Sequence, residues 1–288
     1  MKLAALLVLG LCVAARGAIT VEAYYQLGDA DPGAGAGNVG DAQTVDSGPN
    51  GFDLTRHGQP QYSSDVPPLA SATAAADTLS MRFVNPSSPI DITRAGGVEG
   101  SFYSRLSVLA TPASNYGLEA WVKPSALTPA DASGYALIAY NGSPFLASLG
   151  AASNGVGFFE KGGNYIVRIG DTEKILAPVV PNQWTHLVFL RGATANDFYV
   201  GNAEVPDLSS DAQTRPIAPT GSFYIGGYPT AALHGDLFNG TIDDVRFFTY
   251  STTGPQPFDP ETDLLMAVPE PGMLGIAMGA VLFIRRRR

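Results

Sequence analysis

Acidic side chains are where this sequence could do chemistry: 26 Asp and Glu stand against three histidines and one cysteine. Retaining glycan hydrolysis needs two carboxylates about 5 Å apart. On a β-strand that means acids spaced along one face, as in E-x-D-x-x-E, and this pattern does not occur. Glu119 stands alone, Glu160 is followed by Lys161-Gly162-Gly163, and Glu204 and Asp207 flank Pro206 in a loop. His57, His186 and His234 fall in unrelated segments, with no H-E-x-x-H motif and no cysteine partner for zinc. A G-x-S-x-G elbow and a Gly-rich phosphate loop are likewise missing. The expectation is therefore a protein that is not an enzyme, with His186, beside Trp184, in a structural role. A hard cation is the better prospect, because it takes its oxygens from carboxylates and loop carbonyls. Asp243-Asp244 lies just after the Asn239-Gly240 turn. The alternative, equally open, is that Asp243 or Asp244 pairs with Arg246 or caps a turn.

The elements that must position these residues read as strands. Gly (33) and Pro (22) are too frequent for a helical protein, since both are unfavourable in helix interiors. Short β-branched and aromatic runs recur instead. They include Gly117-Leu-Glu-Ala-Trp-Val-Lys123, Tyr135-Ala-Leu-Ile-Ala-Tyr140, Gly155-Val-Gly-Phe-Phe159 and Asn164-Tyr-Ile-Val-Arg-Ile169. Further on come Trp184-Thr-His-Leu-Val-Phe-Leu190, Asp197-Phe-Tyr-Val200, Ser222-Phe-Tyr-Ile225 and residues 241–248. Turn dipeptides separate them, such as Asn141-Gly142, Gly162-Gly163, Gly201-Asn202 and Gly226-Gly227. Alternation puts Leu118, Ala120 and Val122 on one face and Glu119, Trp121 and Lys123 on the other. Thr185, Leu187 and Phe189 oppose Trp184, His186 and Val188 in the same way. Both strands look covered on two sides, so Trp121 and Trp184 are expected in the core or under loops rather than as sugar platforms. The fold class expected is all-β, an antiparallel β-sandwich or jelly roll.

The order of segments resembles the LamG-like family, the concanavalin A-like jelly rolls of the lectin/glucanase type. The matching residues are Leu118-Glu-Ala-Trp-Val-Lys-Pro124, Gln183-Trp-Thr-His-Leu-Val-Phe189, Phe198-Tyr-Val-Gly-Asn202, Ile225-Gly-Gly227 and, most specifically, Phe238-Asn-Gly-Thr-Ile-Asp-Asp-Val-Arg-Phe247. Ala23-Tyr-Tyr-Gln-Leu-Gly28 and Asp46-Ser-Gly-Pro-Asn-Gly-Phe-Asp-Leu54 fit the opening. The resemblance implies one domain over 19–251, with the Ala/Ser/Pro-rich stretch 62–78 as a surface loop and 252–267 as a linker. It also implies a structural calcium held by an aspartate at the start of the closing strand, against the N-terminal segment. Asp243 is the matching position, sharing an inward side with Val245 and Phe247, and Asp29 or Asp46 could complete the shell.

Both ends read as addresses. Residues 1–18 have the form of a signal peptide: Lys2, an apolar run containing Cys12, then Ala15 and Gly17 at −3 and −1 of a cut after Gly17. Removal of that run leaves no thiol and no disulfide. At the other end, Val268, Pro269, Glu270 and Pro271 precede an apolar run over 272–284, and the chain stops at Arg285, Arg286, Arg287 and Arg288. As a helix that run spans about 20 Å, against the ~30 Å of a bilayer core, which makes it a marginal anchor oriented by its arginines. Residues 268–288 resemble the PEP-CTERM sorting signal, which implies processing by an exosortase-type membrane protease after transient anchoring in the inner membrane. The formal charge is −9, but Lys2, Arg16 and the four terminal arginines are six of the 17 basic residues; without them 11 bases face 26 acids, a balance of −15. Such a body repels nucleic acid. The function expected is an exported, envelope-associated binding or structural module that contacts extracellular polysaccharide or a surface protein. A degenerate glycan hydrolase and a matrix building block without a soluble ligand remain as alternatives.

Overall fold

The computed structural model describes residues 19–69, 77–84, 102–106, 115–125, 135–142, 155–170, 172–193, 195–201, 203–205, 222–227, 237–254 and 257–265. The signal peptide, the sorting tail, His234 and Asp207 lie outside them. Along the chain run β1 (Ile19–Tyr25), β2 (Gln43–Thr44), β3 (Leu54–His57), β4 (Gln61–Ser63), β5 (Ser80–Phe83), β6 (Phe102–Leu106), β7 (Tyr116–Pro124) and β8 (Ala136–Gly142). Then follow β9 (Val156–Lys161), β10 (Asn164–Ile169), β11 (Thr172–Pro178), β12 (Thr185–Arg191), β13 (Asn196–Val200), β14 (Ala203–Glu204), β15 (Ser222–Ile225), β16 (Gly240–Tyr250) and the single-turn helix α1 (Pro260–Asp263). No helix among the described residues is long and apolar enough to cross a membrane.

Two eight-stranded sheets face each other. The first runs β14-β13-β12-β7-β16-β5-β4, and β1 also pairs with β16; the second runs β11-β10-β9-β8-β15-β6-β3-β2. Every ladder between these strands is antiparallel. This is the expected β-sandwich. Between the sheets the alternation read from sequence is met: Leu118, Ala120, Val122, Leu187 and Phe189 lie in the main core with Phe158, Phe223 and Phe247 from the other strands. Each large apolar side chain buried there contributes roughly 1.5–3 kcal/mol. The β9–β10 hairpin closes through Gly162 and Gly163 at φ 56° and 74°, as a two-residue turn with positive φ at both central positions demands.

Because inward positions alternate with outward ones, each sheet also has an outer face. On the first sheet it is covered. Val188, Leu190, Phe248 and Leu264 pack together there, with Phe258 and Tyr250 against them. The cover is the stretch 257–265. Asp259 caps α1 by accepting from the Glu261 amide, Pro260 stands at its first position, and Leu264 and Leu265 are fully buried. The part of 252–267 expected to be a linker is thus, over 257–265, a strap packed on the domain. Its apolar residues are sparse, so the sequence gives them no period to reveal the contact. The stretch 62–78 is likewise only partly a surface loop. Tyr62 belongs to β4, sits in the core and donates its hydroxyl to Asp31 Oδ2 at 2.9 Å.

Candidate metal centre

β16 brings two aspartates to one place by breaking its own alternation. Ile242 pairs with Val122 and Phe247 with Leu118, all four inward, but the register slips between Asp243 and Arg246. Asp244 takes φ 47°, a left-handed conformation that aspartate tolerates better than most residues. Asp243 pairs with Trp121 and therefore lies on the outer side. Its expected inward side, shared with Val245 and Phe247, is corrected by this bulge.

Asp77, from the segment before β5, joins them: Asp77, Asp243 and Asp244 each offer a carboxylate oxygen, all within 4.8 Å of one another. Asp243 is 0% and Asp244 2% exposed. One oxygen of Asp243 accepts from the Asp244 amide at 2.9 Å, and one of Asp244 accepts from the Tyr24 hydroxyl at 2.5 Å. The Oδ2 atoms of all three aspartates are buried with no hydrogen-bond partner. Burial first, then the neighbouring Asp244 and Asp29, pushes Asp77 up to about 8. Burial, Glu119 and Asp29 push Asp244 up to about 6 against the Tyr24 hydrogen bond and Arg246. Burial, Asp244 and Asp77 raise Asp243 well above the carboxylate range. Buried carboxylates without partners are costly unless they share a cation. An all-oxygen donor set of this kind fits a hard divalent ion such as calcium, which would be held by Asp77, Asp243 and Asp244 and would reverse these shifts.

Of the residues expected from sequence, Asp243 is in the group. Asp29 stands behind it, accepting from the Thr78 amide (3.1 Å), the Thr78 hydroxyl (2.5 Å) and the Leu79 amide (3.4 Å), and so fixes the residues just after Asp77. Asp46 is not in the group. Its carboxylate accepts from the amides of Tyr24, Gly48 and Phe52, each at 2.8 Å, and organises the loop before β3. Pairing of Asp243 or Asp244 with Arg246 is not what the guanidinium does. It donates from Nε to Glu119 Oε1 and from an Nη to the Asp263 carbonyl at 2.6 Å. Asp77 was missed; it is a lone acid after an Ala-rich run, three residues before β5, with no spacing to mark it.

Two further groups stand outside this centre, one on each sheet. Beside it, under the strap, Glu119 is fully buried, bonded to Arg246, to His186 Nε2 (3.0 Å) and to the Leu265 amide (3.0 Å). His186 stacks on Trp121 at 4.9 Å, as a structural histidine, and Trp121 Nε1 donates to the Leu265 carbonyl at 2.8 Å. Trp184, half-buried, donates to Asp65 at 3.0 Å. On the outer face of the second sheet, Tyr135, Leu137, Tyr140, Phe159, Ile166 and Tyr224 form a separate cluster. At its rim Lys161 lies 4.3 Å over the Tyr135 ring and donates to the Tyr135 hydroxyl (2.9 Å) and to Glu173 (2.8 Å), while Arg168 reaches the same two groups.

A family model described as the Concanavalin A-like lectin/glucanases superfamily (laminin G type) matches residues 98–256. No curated protein matches the sequence. Among solved structures, domain 4 of AbnA, a GH43 extracellular arabinanase from Geobacillus stearothermophilus, in complex with arabinotriose, is 16% identical at a TM-score of 0.46, covering 83% of this chain and 97% of that one. Trypanosoma rangeli sialidase in complex with 2,3-difluorosialic acid is 14% identical at a TM-score of 0.46, covering 80% of this chain and 31% of that one. The binding domain of botulinum neurotoxin serotype D is 9% identical at a TM-score of 0.44, covering 80% and 48%.

Proposed function

The chain belongs to the concanavalin A-like lectin/glucanases superfamily, and from that premise we propose that it is an exported, cation-stabilised module that binds extracellular polysaccharide and performs no hydrolysis. The observation that carries this reading is the contrast between the two outer faces. That of the first sheet is taken up by the strap and the acidic group. That of the second sheet carries four buried aromatic rings with the charged side chains of Lys161, Arg168 and Glu173 at their rim. The part of this face that a ligand could meet is the rim, where the Lys161 and Glu173 side chains are 40% and 29% exposed, and convergent polar groups backed by aromatic rings suit sugar hydroxyls. Against hydrolysis stands the state of the acids. Of those grouped among the described residues, Asp243 and Asp244 are buried and Asp77 half-buried, their carboxylates turned to one another, and Glu119 is held by three donors beneath the strap.

A glycan array with the mature protein tests this. Binding to a restricted set of glycans is expected, weakened by Lys161→Ala at the rim, with no reducing sugar released from the bound set. Absence of binding to any glycan would favour a matrix building block instead, and sugar release would favour a hydrolase.

Export and sorting rest on the terminal segments, with an exosortase-type protease as the processing partner. Replacing Pro269, Glu270 and Pro271 with alanine is expected to leave the domain folded and to accumulate unprocessed protein in the inner-membrane fraction. An unchanged distribution between membrane and surface fractions would reduce the motif to a spacer.

A further inference from the structure

We infer that cation binding at Asp77, Asp243 and Asp244 and docking of the 257–265 strap are coupled, so that the cation determines how firmly the C-terminal segment is held on the domain. The inference rests on the cation reading above and adds a regulatory consequence to it.

Its basis is the ladder between β7 and β16. Asp243 pairs with Trp121 and Arg246 with Glu119, with the bulge at Asp244 between the two rungs. Trp121 and Glu119 are the two side chains that pin Leu265, one by its carbonyl and the other by its amide. Arg246 adds a third tie to the strap backbone at Asp263 while donating to Glu119. Each rung therefore joins a residue of the acidic group or its immediate neighbour to a residue that grips the strap. The Tyr24–Arg246 pair of the β1–β16 ladder continues the link, because the Tyr24 hydroxyl donates to Asp244.

Charge and geometry give the coupling its direction. Without a cation, Asp244 draws on the field of Arg246, which also serves Glu119 and the Asp263 carbonyl. A divalent ion neutralises the acids and leaves the guanidinium to its strap partners. It also fixes the bulge, whose left-handed Asp244 lies two residues from Arg246. Phe258 and Leu264 hold the strap by apolar contact as well, so the effect is a graded one. A factor of about ten in strap opening lies within the usual range for coupled sites. Leu265 is three residues before Val268, so the tie acts close to the start of the tail in sequence.

The test is hydrogen exchange of the mature protein in calcium and in chelator at matched ionic strength, with calcium binding measured separately by calorimetry. Exchange in peptides covering 257–265 is expected to be about tenfold slower in calcium. Asp77→Asn, at a residue outside the hydrogen bonds that hold the strap, should abolish that difference. Trp121→Phe, which deletes the bond to Leu265 and shortens the ring stacked on His186, should weaken calcium binding, because linkage is reciprocal. Calcium binding with unchanged strap exchange, and unchanged affinity in Trp121→Phe, would overturn the coupling while leaving the cation site standing. No calcium binding at all would overturn both. Should Trp121→Phe fail to fold, the Asp77→Asn comparison still decides.

Discussion

A carboxylate at 0% exposure with one oxygen unpartnered, as at Asp243, costs the fold free energy whenever it is ionised and without a cation. Asp243→Asn removes that charge while keeping the shape. In chelator the variant is therefore expected to melt at or above the wild-type temperature, and in saturating calcium below it; a calorimetric scan under both conditions reads this reversal. A variant less stable than wild type in chelator would mean that Asp243 acts through ordinary hydrogen bonds. Glu119 carries the opposite sign. Burial raises its pKa, but the charge of Arg246 and the hydrogen bonds and charge of His186, with the Leu265 amide, outweigh burial and leave it below its ordinary value. A carboxylate with a depressed folded pKa contributes stability above its unfolded value, about 4.3, and that stability is lost as pH falls through the folded value. Melting temperature followed from pH 6 to pH 3 should fall along an acid limb that Glu119→Gln largely lacks. An equally steep limb in the variant would assign acid sensitivity to other carboxylates. At this scale the sequence showed Asp243 but not Asp77, because an acid at the end of an Ala-rich run has no pattern that marks what it will face.

Elements with dense β-branched and aromatic content were legible to the residue. β10 and β15 run over the spans read from sequence, and β16 over a slightly longer one. β5, Ser80-Met-Arg-Phe83, and the edge strand β11 were not, because their polar fraction is that of a loop and pairing alone gives them away. The bulge in β16 was hidden as well: Asp243, Val245 and Phe247 alternate cleanly in sequence, and only the slipped register turns Asp243 outward. Packing between β7 and β16 depends on an absent side chain. A Cβ on Gly117 would lie 2.2 Å from the Phe248 ring, which also stacks with the strap residue Phe258. Gly117→Ala must push that ring aside and is expected to cost about 1–3 kcal/mol, read as a lower denaturant midpoint at unchanged slope. A midpoint equal to wild type would show that Phe248 has room to move.

For the whole molecule, the sandwich follows the family resemblance, whereas the strap across the first sheet does not. Between Tyr250 and the tail, Phe258, Leu264 and Leu265 stand among Pro, Asp, Glu and Thr, a composition that reads as a linker until a surface is there to receive it. The body charge of −15 makes any divalent ion mildly stabilising through screening, so only a calcium-specific effect bears on the site. That effect follows from linkage: a ligand of the folded state at about 100 times its Kd adds about 2.7 kcal/mol. In a domain of this size this is a rise of roughly 5 °C or more. The measurement is the melting temperature of the mature protein in calcium, in magnesium at equal ionic strength and in chelator. A rise of that size in calcium beyond the magnesium value, gone in Asp243→Asn, is the predicted result. Coincident curves in calcium, magnesium and chelator would contradict the account.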